Sequence, residues 1–283
     1  MKFSRPEADV FVPGGGDATR ALARTTHLCV IAHQDDIEIN AYPAVAECFG
    51  RADRFFTGVV MTDGAGSART GKFAQVTDAE MQLIRRDEQR AAAVLGNYNL
   101  QLQLAHPSAD VKKAGHTGVA ADMAAIFGGC RPEVVYLHQP ADKHDTHVAC
   151  FLRCIEALRA LPRGQRPARV FGVEGWRNLD WLMDQEKVAM DASADPGLAA
   201  KLIAVFESQI AGGKRYDLAA MGRRLANATF FASHATDATN AISLAMDLTP
   251  LVADDTLNVR DFALGHIERL RADVAARLEK FGG

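Results

Sequence analysis

Short unbroken apolar runs alternate along most of the chain with longer stretches in which apolar residues recur every three or four positions. The strand candidates fall at 27–32, 55–61, 100–104, 133–137 and 169–173, all but the third as such runs. Each has the length and the β-branched, aromatic or aliphatic content of a strand buried on both faces. Between them, the spacing predicts helices over 38–49, 77–95, 117–127 and 147–161. The second is signed at its start by Thr77-Asp78-Ala79-Glu80, a capping box, and at its end by Gly96. Strand and helix in strict alternation predict an α/β fold, Rossmann-like, with three layers and a mostly parallel sheet.

Beyond Trp176 the pattern is less regular, with helices expected at 196–210, 216–226 and 258–281. The last repeats Phe262, His266, Leu270, Val274 and Leu278 on one face, as a packing helix does. Residues 1–24, rich in Pro, Gly and charge, read as an irregular leader, and Gly14-Gly15-Gly16 as a turn rather than a phosphate cradle, because no strand precedes it. The chain 1–283 therefore reads as one domain, with 178–283 a mostly helical part packed on the core. With 48% apolar residues, one sizeable core can be filled.

A formal charge of -3, with both signs interspersed, offers no basic stripe to nucleic acid. No stretch reaches the roughly 18 apolar residues of a bilayer span, and the first twenty residues hold no secretory apolar segment. The five cysteines sit mostly in apolar surroundings, which reads as reduced core thiols and a cytoplasmic setting. Cys150 and Cys154 lie one helical turn apart, but nothing completes a thiolate metal site around them.

Ligands of open parallel sheets bind beyond the carboxyl ends of the strands, so the polar clusters placed there carry the candidate chemistry. Ala32-His33-Gln34-Asp35-Asp36-Ile37-Glu38 follows the first run. His33 and Asp36 can point one way while Asp35 projects differently, and a divalent cation makes such crowded carboxylates tolerable. Asp142-Lys143-His144-Asp145-Thr146-His147 follows the fourth candidate and opens a helix, with His144 and His147 sharing a face. Three nitrogen and oxygen ligands with an open fourth position describe catalytic zinc. The plain alternative is that these residues are helix caps and satisfied polar groups.

The two clusters resemble the motifs of the LmbE-like or PIG-L deacetylases, approximately Ala-His-Pro-Asp-Asp-Glu and His-Pro-Asp-His, and the similarity runs from about His27 to Arg177. The resemblance implies a Rossmann-like fold and a zinc-dependent removal of acetyl from an N-acetylated sugar or sugar conjugate. It implies zinc ligands at His33, Asp36 and His147, a general base at Asp35, and at His144 the group that polarises the carbonyl or protonates the leaving amine. Another divalent transition metal suits the same donors. Family members are often homo-oligomers.

Gln34 stands in place of the family's Pro, Ile37 in place of its Glu, and Thr146 in place of the Asp that orients the catalytic His. Asp142 or Asp145 is then expected to orient His144. Candidate substrate contacts near strand ends are Asp63, Arg69, Trp176 and Arg177. His106, His116 and His138 read as loop residues, His138 being near enough to the second cluster to support it, and His234 as structural. Three competing readings are a zinc hydrolase of non-sugar N-acyl substrates, a dinucleotide enzyme and a non-catalytic sugar binder. The dinucleotide reading lacks its Gly-x-Gly-x-x-Gly after the first run.

Overall fold

The structure, a computed structural model, describes residues 1–283. The five expected strands form as β2 (His27–Ile31), β3 (Phe56–Thr62), β4 (Leu100–His106), β5 (Val134–His138) and β6 (Arg169–Val173), all mutually parallel. Successive side chains alternate between the two faces of the sheet. Leu28, Val30, Val135 and Leu137 thus join one apolar cluster, and Cys29, Ile31, Val134 and Tyr136 the other. Both faces are covered by helices, so these strands are buried throughout; β4 alone alternates Leu with Gln, and its Gln101 and Gln103 are buried too.

Three strands complete the sheet: β1 (Asp9–Phe11), β7 (Lys187–Asp191) and β8 (Ile242–Asp247), in the order β1-β4-β3-β2-β5-β6-β8-β7. All three pair antiparallel. They correct two expectations. The leader is not wholly irregular, since β1 pairs with β4 through Asp9 opposite Gln103 and helix α1 (Ala18–Ala23) follows, capped by Asp17. The part after 178 contributes two strands as well as helices. β1 is too short to show a period, and Arg90, bonded to the Asp9 carboxylate, helps to hold it.

After β2 the expected helix 38–49 divides into α2 (Asp36–Asn40) and α3 (Tyr42–Cys48). Pro43 lacks the N–H that would continue the first ladder. The capping box opens α4 (Asp78–Leu95), with Thr77 and Glu80 bonded reciprocally. Next come α5 (Ser108–Lys112), α6 (Thr117–Gly129) and α7 (Asp145–Ala160). In the last part of the chain, the expected helix 196–210 splits into α8 (Pro196–Ala204) and α9 (Glu207–Ile210), ahead of α10 (Tyr216–Phe230), α11 (Thr249–Ala253) and α12 (Val259–Lys280). No helix is long and apolar enough to cross a membrane. All five cysteines are unpaired and buried.

The strand order places the topological switch between β2 and β5. From β2 the chain moves outward to β3 and β4, then returns across the sheet to β5, so the segments following β2 and β5 diverge and leave a crevice. Both sequence clusters flank that crevice.

Helix α2, which carries one side of it, is tied down by a buried carboxylate. Glu38 Oε1 accepts from Gln89 Nε2 at 2.8 Å and from Tyr98 Oη at 2.7 Å, while Oε2 has no partner. Burial pushes this carboxyl up to about 7, against the pull of its hydrogen bonds. The folded state therefore binds the proton more tightly than the unfolded chain. The stability that Glu38 allows is present below its ordinary pKa of 4.5 and is lost as pH rises through about 7. Glu38→Gln is expected to raise the melting temperature at pH 8, by an equivalent of up to roughly 3 kcal/mol, and to leave it near the wild-type value at about pH 5. Equal effects at both pH values in thermal unfolding would contradict a titrating group.

Candidate active site

The first half of the site is shaped by a backbone reversal. Asp35 has φ 78, the left-handed region that an Asp tolerates better than most side chains. The reversal lets α2 begin at Asp36 and turns its carboxylate back toward the strand end. Asp36 Oδ2 accepts the His33 N–H at 2.9 Å and lies 3.2 Å from His33 Nδ1. The second half comes from the first turn of α7. His147 Nε2 lies 3.2 Å from His33 Nδ1 and 3.3 Å from Asp36 Oδ2. Its other nitrogen, Nδ1, is 2.9 Å from Asp142 Oδ2.

These three donor atoms form a nearly equilateral triangle. Ligand atoms about 2.05 Å from a tetrahedral zinc are separated by roughly 3.3 Å, so the edges match a first coordination shell. Proton placement agrees. With the Nδ1–H of His147 given to Asp142, its Nε2 lone pair faces the Asp36 carboxylate and the His33 ring nitrogen. Those lone pairs repel unless a proton or a cation lies among them. Burial disfavours charge on His147, yet Asp36 and Asp142 outweigh it and push the imidazole up to about 9. Burial likewise opposes ionisation of Asp36, and the imidazoles of His147, His33 and His138 outweigh it, holding the carboxyl well below the usual range.

Around the triangle stand three supporting groups. His138, the last residue of β5 rather than a loop residue, is fully buried and stacks on His147 with ring centroids 3.9 Å apart. Its Nε2 accepts the Ala32 N–H at 2.9 Å, so that lone pair is already used. His144 lies with its ring 4.5 Å from His147 and 4.8 Å from His33. Burial, and then the neighbouring imidazoles, push it down to about 4, so it is neutral at pH 7. The expectation that an acid orients His144 fails: Asp142 serves His147, Asp145 is exposed, and His144 Nδ1 has no partner. Asp35 is buried on the other side, with Oδ2 3.0 Å from Arg85 Nη2 and its N–H donating to Gln89 Oε1 at 3.2 Å. Burial raises its carboxyl to about 7, above the lowering effect of Arg85.

Arg85 was not among the sequence candidates. It is fully buried and also donates to the Gln34 carbonyl at 2.5 Å, to Glu88 at 3.1 Å and to Ser208 Oγ at 3.3 Å. Its signal was present: Met81, Arg85 and Gln89 recur at helical spacing on the buried face of α4, where an arginine is out of place unless paired.

His33 and Asp36 of the triangle line a cleft of about 720 Å³, as do Asp35, His144 and Trp176. Of the four candidate substrate contacts, only Trp176 borders it, beside Tyr216 at a ring separation of 5.7 Å. The others are held elsewhere by nearer partners. Arg69 is bonded to Asp78 at 2.7 Å and to the Ala65 carbonyl at 2.9 Å. Asp63 accepts from the Ala65 N–H and from Gln82. Arg177 Nε donates to the Ala141 carbonyl at 2.6 Å. His106 is the buried end of β4, bonded to Asp122, and His116 caps α6. Tyr216, Lys214 and Arg223, all from the last part of the chain, line the cleft unanticipated.

The model of the PIG-L family, described as GlcNAc-PI de-N-acetylase, matches residues 28–158, from β2 through α7 and so across both halves of the triangle. The chain carries a PIG-L, LmbE-like family domain. No curated protein matches the chain. Among solved structures, the N,N'-diacetylchitobiose deacetylase from Pyrococcus horikoshii is similar with a TM-score of 0.62 and 17% identity, over 81% of this chain and 86% of that one. The conserved protein TT1542 from Thermus thermophilus gives 0.59 and 18%, over 78% and 94%. GalB, the 4-carboxy-2-hydroxymuconate hydratase from Pseudomonas putida, gives 0.56 and 16%, over 79% and 96%. At such identities the likeness is of fold. A deacetylase and a hydratase share it, so the PIG-L fold alone does not select the reaction.

Gly175, just past β6, makes room for the Asp142 carboxylate, since a Cβ there would stand 2.3 Å from Asp142 Oδ2. Gly175→Ala is therefore expected to displace the group that orients His147. The His147 imidazole should then titrate below about 9 when followed by NMR, and an unchanged titration would contradict the coupling.

Proposed function

We propose that this protein is a metal-dependent hydrolase that removes an acetyl group from an N-acetylated amino sugar or sugar conjugate. The observation that carries the reading is the donor triangle of His33, Asp36 and His147, with a poised carboxyl on one side and a neutral imidazole on the other. A divalent ion in that triangle, zinc first, would polarise the acyl carbonyl and lower the pKa of the attacking water to about 7. Family membership favours an amide over the other reactions found on the fold.

Asp35 accepts the proton of the attacking water. Arg85 and the Gln89 side chain fix its position, and its value of about 7 lets it hold a proton and release it in the same pH range. His144, neutral, offers an N–H to the carbonyl oxygen as negative charge builds there, a contribution typically of about 2.7–4 kcal/mol. With His144 pushed down to about 4, proton return to the departing amine falls to Asp35. Trp176, with Tyr216 beside it, supplies an aromatic face against which a sugar ring can stack. A small, N-acetylated sugar conjugate is thus the partner, and the five reduced cysteines accord with a cytoplasmic setting.

Amine release from N-acetylglucosaminides compared with N-acyl amino acids tests the substrate class, since a sugar deacetylase liberates amine efficiently only from the former. Asp35→Asn is expected to keep its metal while turnover falls by about 10²- to 10⁴-fold, whereas His147→Ala loses the metal. Equal metal loss in both variants would contradict the division of roles.

A further inference from the structure

Helix α12 is held to the body through its first turns only. Phe262 packs on the main apolar cluster, and His266, its Nδ1 3.1 Å from Glu186, is the helix's only buried residue. From Arg271 onward every residue except Asp273 is exposed. The packing face expected at Phe262, His266, Leu270, Val274 and Leu278 is thus realised only at its start. The free half is nonetheless not polar all round. At about 100° per residue, Ile267, Leu270, Val274, Leu278 and Phe281 fall within about 40° of one line along the helix. Val274, Leu278 and Phe281 are 47%, 59% and 81% exposed, a continuous apolar stripe rather than scattered single residues.

The stripe is palindromic. Its spacings are three, four, four and three residues about Val274. A second copy of the helix, laid antiparallel with Val274 on Val274, therefore sets Leu270 opposite Leu278 and Ile267 opposite Phe281 at both ends. A two-fold axis requires such a match, since each patch must complement itself. It also brings the same flank of each helix together. On one flank Arg277 then faces Asp273 of the second copy, and on the other Arg271 faces Glu279, each pair offset by two residues, or about 3 Å, along the axis.

A neighbouring groove selects the antiparallel sense. It has a volume of about 670 Å³ and lies between α7 and the start of α12, lined by Val148, Phe151, Leu152, Leu257, Leu264 and Ile267 among others. In the antiparallel pair, Phe281 of the second copy arrives level with Ile267, at the lip of this groove, and has an apolar socket to enter. In a parallel pair it meets only its own counterpart. We infer that two copies of this chain associate through α12, antiparallel about Val274, with Phe281 of each copy seated in the groove of the other. Helix α12 lies outside the family match, and the groove shares no lining residue with the cleft, so the association is separate from the reaction proposed there.

The test is sedimentation velocity of the full chain, supplied with zinc, over a range of concentrations. The wild type is expected to sediment as a dimer that dissociates on dilution. Val274→Arg sets two like charges against each other at the two-fold axis and is expected to weaken the dimer by on the order of 100-fold, at an exposed site that leaves the monomer's fold unchanged. Asp273→Arg and Arg277→Asp should each weaken association, and the two combined should restore it, because the exchanged charges meet again only across an antiparallel pair. Crosslinking with a short bismaleimide reads the direction, the five native thiols being buried. Ile267→Cys and Phe281→Cys are expected to link to each other and neither to itself. A chain that stays monomeric at every concentration, a dimer that Val274→Arg leaves intact, or self-linking of Phe281→Cys overturns the inference.

Discussion

Three nitrogen and oxygen atoms of His33, Asp36 and His147 are held within 3.3 Å of one another, an arrangement that is favourable only with a proton or a cation among them. Much of the surrounding structure maintains it. The left-handed turn at Asp35 aims Asp36 back along β2, and the first turn of α7 delivers His147 from the neighbouring strand. Asp142 fixes one His147 nitrogen so that the other faces inward, His138 covers its ring, and Gly175 leaves room for the Asp142 carboxylate. The parallel sheet matters here because its connections diverge between β2 and β5, bringing segments over a hundred residues apart to one crevice.

That dependence explains what could be read from the sequence. Four of the buried parallel strands advertise themselves as near-continuous apolar runs and β4 as leucines spaced by glutamines, so all five were legible, as was the capping box of α4. The edge strands were not: β1 has three residues, β7 is bounded by Lys187 and Asp191, and β8 lies within a stretch dominated by helical spacing. Ile242, Leu244 and Met246 of β8 do alternate, and that period was the missed signal. The two clusters that form the triangle were legible because each directly follows a buried strand. Spacing separated Asp36, which shares a side with His33, from Asp35, and the resemblance supplied the roles.

Substrate contacts were the least legible part, and the reason is physical. Proximity to a strand end says where a residue starts, whereas its side chain goes to the nearest competent partner. Arg69, Asp63 and Arg177 are satisfied by Asp78, Gln82 and the Ala141 carbonyl, away from the cleft. Arg85 went unnoticed within a helix that otherwise reads as packing, yet it supports the carboxylate proposed as base. Lys214, Tyr216 and Arg223, which line the cleft, belong to a region outside the family match, where no motif pointed to them.

The central claim is that the triangle exists to hold a cation. Without one, the pressure for positive charge falls on His147, which is pushed up to about 9 and so carries a proton at neutral pH. Metal binding must then expel that proton. Zinc titration of the metal-free protein by calorimetry, in two buffers of different ionisation enthalpy near pH 7.5, reads this directly. The account predicts one ion bound per chain with release of about one proton; no binding, or binding without proton release, would contradict it.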